Sequence, residues 1–346
     1  PGRIRPELGP LRSALARLGD PQRACPSILV VGTNGKGSTA AMLSAVLRGH
    51  GVRTGLTTSP HLVAVEERIR IDGAAIEAAA LDDILLRLTD FPELTFFETL
   101  TAAAFIAFAE AAVEAAILEA GMGGSWDATR VAASAIAGIT NVGSDHAAWL
   151  GESAEERARD KGGPLRSAQW AVLGSDLAPE LAPALTAPEA VTASSLVEVA
   201  PLGGGRVEIS WDDERVEAEV PLAGDHQVAN LQLALALARC ANSAGYAPPL
   251  EPGAVVRGLA EVSWPGRLSE CRIGGRTVLV ASVRLRPPKG LMATRAQARR
   301  AMPHRKHPVS LTGRPHVQTA PIHCPRPQGP RQPGPRQAAI PTRSWN

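Results

Sequence analysis

The stretch that most constrains this chain is Val30-Val31-Gly32-Thr33-Asn34-Gly35-Lys36-Gly37-Ser38-Thr39. An apolar run, Ile28 to Val31, enters it, and a helix-like run, Ala40 to Gly49, leaves it. Strand, glycine-rich turn, Lys, Ser and helix in that order make a phosphate cradle. The glycines let backbone N–H groups approach phosphate oxygens. Lys36 supplies positive charge, and the Ser38 hydroxyl can ligate a phosphate-bound Mg2+. The strict P-loop pattern wants Ser or Thr directly after the Lys, but here Gly37 intervenes. An ordinary strand-to-helix turn is the alternative that the flanking elements argue against.

The 346 residues suffice for two domains, and 45% apolar content is ample for a core. Cys25, Cys240, Cys271 and Cys324 have no metal-like or disulfide-framework spacing, which fits a reducing compartment. The most apolar region, Thr99 to Ala120, is interrupted by Glu110, Glu114 and Glu119, so it reads as a buried helix and strand rather than a membrane span. With no visible signal segment, the expectation is a cytoplasmic protein. The net charge of +2 hides an asymmetry. Residues 271 to 346 carry 15 of the 36 Lys and Arg and no acid, leaving 21 basic against all 34 acidic residues in the first 270. An acidic body with a basic tail raises the alternative of a nucleic-acid-binding arm.

Polar residues recur where strand-like runs end. Val52 to Thr58 leads into Ser59-Pro60-His61-Leu62, followed by Glu67-Arg68-Ile69-Arg70-Ile71-Asp72-Gly73. Leu94 to Thr101 opens a long apolar helix, with Phe96 and Phe97 read as packing residues. Ala115 to Ala120 is a continuously apolar strand with Glu119 near its end, before Gly121-Met122-Gly123-Gly124. A carboxylate at that end of a buried parallel strand sits where α/β sheets bind nucleotide and metal. Burial there is costly without a cation, so Glu119 is a candidate Mg2+ ligand. Asp145-His146 follows the strand Ser134 to Thr140. The capping box Ser153 to Glu156 opens a helix that ends at Lys161. Arg206 to Trp211 and Arg215 to Val220 alternate as a hairpin. A helix bearing Asn230 follows Gly224-Asp225-His226-Gln227, and Trp264-Pro265-Gly266-Arg267-Leu268 comes later.

GTNGKGST and these segments, in this order, resemble the folylpolyglutamate synthase/dihydrofolate synthase family of the Mur ligase superfamily, from about Leu11 to Leu268. The resemblance implies that Thr33, Asn34, Gly35, Lys36, Gly37, Ser38 and Thr39 hold ATP. It places Asn230 close to the adenine and brings Arg267 to the phosphates. It implies metal ligation by Ser38, Ser59, Glu119 and His146, with the loop after Ser59 bordering a pterin site. It also implies that Lys161 becomes carbamylated, turning from cation to anion, so that Lys36, Lys161 and His146 form the catalytic set. The chain departs from the family pattern at Ser125, where an Arg is usual, at Arg130, where an Asn is usual, and at Lys161-Gly162-Gly163-Pro164.

The expected fold is therefore α/β. Residues 1 to 262 would form a P-loop, Mur-ligase-type domain with a mostly parallel sheet and helices on both faces. Residues 263 to 280 would be the junction and start of a second domain. Residues 281 to 346 contain 12 prolines and no acid. They are expected to be a disordered or out-of-frame tail, with the family's C-terminal domain truncated or replaced and activity possibly impaired. The implied reaction is ATP- and Mg2+-dependent ligation of L-glutamate to dihydropteroate or a reduced folate by a monomer with no nucleic-acid or membrane partner. The alternatives are a cell-wall Mur ligase, a P-loop kinase and a non-catalytic nucleotide-binding remnant.

Overall fold

The computed structural model describes residues 7–145, 147–185, 189–273 and 276–281, with the backbone alone at 147–148 and from 267 onward. The readings made for His146, for the Arg267 side chain and for the tail lie outside the described residues. The chain divides into one unit of 1–270 with 277–282 and another of 271–276 with 283–346.

The first unit is built on an eight-stranded sheet. Its strands in chain order are β1 (Ser27–Val31), β2 (Thr54–Thr57), β3 (Ile69–Ile71), β4 (Ala74–Ala75), β5 (Ala115–Glu119), β6 (Ile136–Ile139), β7 (Trp170–Leu173) and β8 (Val191–Thr192). Their spatial order is β4-β3-β2-β5-β1-β6-β7-β8. The six strands from β2 to β8 in that order are parallel, and β3 and β4 add an antiparallel edge.

Strands β1, β5, β6 and β7 are almost continuously apolar because both faces of the sheet are covered. Ile28 and Val30 of β1 point into one core with Ala115 and Ile117 of β5, against the helices Lys36–Gly49, His226–Ser243 and Pro252–Ala260. Leu29 and Val31 point into the other with Ala116 and Leu118, against Gly9–Arg17, Ala78–Leu88 and Phe96–Glu110. A separate antiparallel sheet pairs β9 (Glu198–Gly203), β10 (Arg206–Trp211) and β11 (Glu214–Glu219). Its hairpin turns at Asp212, whose φ of 47° is left-handed. The alternation along β10 and β11 makes that hairpin legible, whereas β9 carries no comparable signal. Two further strands, Arg267–Ile273 and Arg276–Ala281, pair with each other.

One packing expectation fails. Phe96 is 63% exposed at the start of its helix, where the Arg68 guanidinium lies 5.3 Å from its ring centre. Phe97 does pack, against Gly121 and the second core. At the first turn of a helix one of two adjacent aromatics must face outward, since neighbours differ by about 100°.

Candidate active site

The loop leaves β1 at Val31 and turns into the helix beginning at Lys36. Gly35 caps that helix at φ 82°, and a Cβ there would sit 2.1 Å from Asn230 Oδ1. Glycine is thus required by conformation and by space. The neighbouring strand end holds the loop from the side. Asn34 N donates to Asn141 Oδ1 (3.0 Å), Thr140 Oγ1 donates to the Asn34 carbonyl (2.6 Å), and Gly143 N donates to Thr33 Oγ1 (2.8 Å). Below the helix start, Asn230 Nδ2 donates to Gln227 Oε1 (2.9 Å). Lys36 Nζ donates to the carbonyls of Gly32 (3.2 Å) and Thr33 (3.0 Å), so its charge is held at the loop.

Glu119 reaches the same place because β5 is the neighbour of β1. Val30 and Glu119 stand opposite each other in register, and Ala120 N donates to the Val30 carbonyl. Both Glu119 carboxylate oxygens lie 3.3 Å from where a Cβ on Gly37 would be, and Gly37 adjoins Ser38. Ser59 N donates to Glu119 Oε2 (2.9 Å), since β2 flanks β5 on its other side. Glu119 and Ser38 are both buried. A carboxylate and a serine hydroxyl are hard oxygen donors, the kind that suit Mg2+ when phosphate and water oxygens complete the coordination. Among the described residues, no three His, Cys, Asp or Glu gather into a metal cage.

Lys161 is 2% exposed and donates its ammonium to the Gly32 carbonyl (3.0 Å), the oxygen that Lys36 also uses. Burial, reinforced by the charge of Lys36 and opposed by Asp160 and Asp145, brings its pKa down to about 8. Nearby, Asp127 accepts from the N–H groups of Gly121 (2.9 Å), Met122 (3.0 Å) and Thr129 (3.0 Å), and from the Thr129 hydroxyl (2.6 Å). It ties down the glycine loop that follows Glu119, and complete burial raises its carboxyl pKa.

The structure thus gathers Thr33 to Thr39, Ser59, Glu119, Lys161 and Asn230 at the C-terminal edge of the sheet. Several supporting contacts escaped the sequence reading. Thr140 and Asn141 brace the loop. Arg157, 7% exposed, donates to the carbonyls of Gly143, Gly151 and Glu152 and so ties together the ends of the segment that contains Asp145. Arg68 Nε donates to His61 Nδ1 (2.9 Å). Trp264 sets its ring edge 3.2 Å from a Cβ on Gly37, and Arg70 stacks on it at 5.4 Å. Ser125 hydrogen-bonds the Asp160 carbonyl (2.8 Å). A lone polar residue in a sequence announces none of these contacts.

A glycine loop between strand and helix, with a strand-end carboxylate beside it and a lysine beneath it, is the arrangement of a P-loop domain of the Mur-ligase type, suited to nucleotide phosphates. The Mur ligase middle domain matches residues 30–162. Dihydrofolate synthase/folylpolyglutamate synthase of Mycobacterium tuberculosis is 38% identical over 304 residues, covering 78% of this chain and 62% of that protein. The structure of folylpolyglutamate synthase from Mycobacterium tuberculosis complexed with ADP and AMPPCP aligns with a TM-score of 0.70 at 33% identity, over 81% of this chain and 68% of that one. An FPGS–AMPPCP–folate complex aligns with a TM-score of 0.71 at 31% identity, over 81% and 73%. The chain belongs to the folylpolyglutamate synthase/dihydrofolate synthase family. It spans between a third and about two thirds of the length of the curated relatives it matches.

Proposed function

We propose that this chain carries the ATP-binding half of an enzyme that joins L-glutamate to a folate or dihydropteroate carboxylate. A substrate carboxylate oxygen attacks the γ-phosphorus of ATP. The bond to the bridging oxygen breaks, ADP leaves, and an acyl phosphate forms. The amine of L-glutamate then attacks the acyl carbon, and phosphate leaves as the amide is made and the amine loses its proton. No protein nucleophile is required.

In this reading the amides of Thr33 to Thr39 cradle the phosphates. Lys36 moves from its own loop carbonyls to the transferring phosphoryl group and offsets the charge it carries. Ser38 and Glu119 would hold Mg2+, with Ser59 and His146 at a second metal. Bound Mg2+ neutralises phosphate charge and aligns the phosphoryl group for in-line transfer. Asn230, beside Gly35, faces the adenine, and Arg267 is assigned to the phosphates. A pKa of about 8 leaves roughly one Lys161 in ten neutral at pH 7, far more than an ordinary lysine, and a neutral amine is what carbamylation needs. The modification would replace repulsion between Lys161 and Lys36 with attraction.

The convergence of the glycine loop and Glu119 on adjacent strand ends carries this reading. The AMPPCP–folate complex of a related synthase supports the substrate class. No described helix is long and apolar enough to cross a membrane. We read the protein as a cytoplasmic monomer acting on small molecules rather than on nucleic acid. A coupled assay of phosphate release and glutamylated product, with dihydropteroate, tetrahydrofolate and a UDP-muramoyl acceptor as parallel substrates, tests it. Product with the pteridines alone supports the assignment; product with the muramoyl acceptor alone overturns it.

A further inference from the structure

Gly37 interrupts the strict phosphate-loop pattern, yet backbone conformation does not demand a glycine there. It lies in the first turn of the helix Lys36–Gly49 and is not among the left-handed glycines of the described residues. Space demands it instead. A Cβ on Gly37 would lie 3.2 Å from Cζ2 of the Trp264 indole and 3.3 Å from each carboxylate oxygen of Glu119. Ring and carboxylate therefore converge on one point, between Lys36 and Ser38, and the absent methyl group lets them do so.

Trp264 is held there on both sides along the chain. Three residues before it, Glu261 Oε2 pairs with Arg48 Nη1 (3.0 Å), from the last turn of the helix that Lys36 begins. Two residues after it, Gly266 turns at φ 79°, and a Cβ there would sit 2.8 Å from Leu62 Cδ1 in the loop that follows Ser59. Over the ring, the Arg70 guanidinium lies 5.4 Å from the centre, within cation–π range. Arg70 is itself fixed, since it stands opposite Leu56 in the β2–β3 pair and donates to the Gly73 carbonyl (3.2 Å). The indole also packs against the first core, but core packing alone gives no reason for a glycine at position 37.

We propose that Trp264 is a positioning residue for the metal–nucleotide site, acting through Glu119. The indole walls the Gly37 side of the carboxylate, while the Ser59 amide holds Oε2 (2.9 Å). A carboxylate ligand depends on such outer support for its orientation, and removing one support costs about 10- to 100-fold in metal affinity. This role rests on the nucleotide-binding reading above and adds to it the residue that sets the metal ligand.

Calorimetry on the full chain tests it, with Mg-ATP and metal-free ADP titrated in parallel. Trp264→Ala should weaken Mg-ATP about 10-fold or more and metal-free ADP less than about 3-fold. Trp264→Phe keeps a ring under Arg70 and should stay within about 3-fold of the wild type for both ligands. Gly37→Ala should weaken Mg-ATP about 10-fold, although alanine is the better helix former and the urea midpoint should not fall. The double variant Gly37→Ala with Trp264→Ala should be about as weak as either single variant, not about 100-fold weaker, because both substitutions disturb one contact. Mg-ATP affinity unchanged in Trp264→Ala, equal losses for Mg-ATP and metal-free ADP, or additive losses in the double variant overturn the proposal and leave nucleotide binding standing. Should Trp264→Ala fail to fold, Mg-ATP affinity unchanged in Gly37→Ala overturns it. No binding of Mg-ATP by the wild type overturns the nucleotide reading and this role with it.

Discussion

Lys161 is a buried cation set beside another cation, and that has a measurable consequence. Its pKa falls from the ordinary value near 10.5 to about 8 on folding. Below pH 8 both the folded and unfolded chains hold the proton, and the folded state bears the full cost of the buried charge. As pH rises from 8 towards 10.5 the folded state releases the proton first and that cost disappears. Stability should therefore rise by ~3 kcal/mol across this window. Urea unfolding at pH 7 and pH 10 should register the gain in the wild type and lose it in Lys161→Met. Lys36 gives a second prediction at this scale. Replacing it with Ala removes a charge-assisted contact worth about 1.5–3 kcal/mol, so calorimetry should read Mg-ATP affinity lower by a factor of about 10 to 150. The place of Lys36 at the start of the loop's helix was legible from its glycine neighbours alone. The altered proton affinity of Lys161 was not, because it depends first on burial by the tertiary fold and then on the charge of Lys36, more than a hundred residues away in sequence.

The loop between β1 and its helix depends on elements that are remote in the chain. Gly35 has Asn230 against it, and Asn34 is held by Thr140 and Asn141 at the end of β6. Gly35→Ala puts a methyl group into Asn230 at a positive φ. It should destabilise the fold by ~1–3 kcal/mol and reduce nucleotide affinity about 10-fold or more, which chemical denaturation and titration would each show. Thr140→Val keeps the volume but removes the hydroxyl donor to the Asn34 carbonyl, and should cost ~1 kcal/mol with a smaller loss of affinity. Strand β1, the helix at Lys36 and the strand ending at Glu119 could all be read from apolar runs and glycines. The exposure of Phe96 could not, since the sequence leaves open which of two adjacent aromatics faces inward. Strand β9, with its irregular pattern, gave no periodic signal either.

At the scale of the whole molecule, binding at the strand ends should stabilise the body that carries them. Saturating Mg-ATP, at about 100 times its Kd, adds ~2.7 kcal/mol and should raise the melting temperature by about 5 °C. Glu119→Gln keeps the side-chain shape and the partner of Ser59 N but weakens the metal contact. Its melting temperature should respond less to Mg-ATP and normally to metal-free ADP. An equal response to Mg-ATP in both proteins would remove Glu119 from the metal. The sequence by itself determined the strand–loop–helix phosphate cradle, the two-faced apolar strands and the separate polar strand ends, because each is a local pattern of side-chain period and backbone freedom. Only the tertiary structure decided that β5 inserts between β1 and β2. That strand order, fixed by burial on both faces of a parallel sheet, brings Glu119 between the glycine loop and Ser59. It also sets Lys161 under the Gly32 carbonyl, and a low-dielectric surrounding there changes the lysine's chemistry.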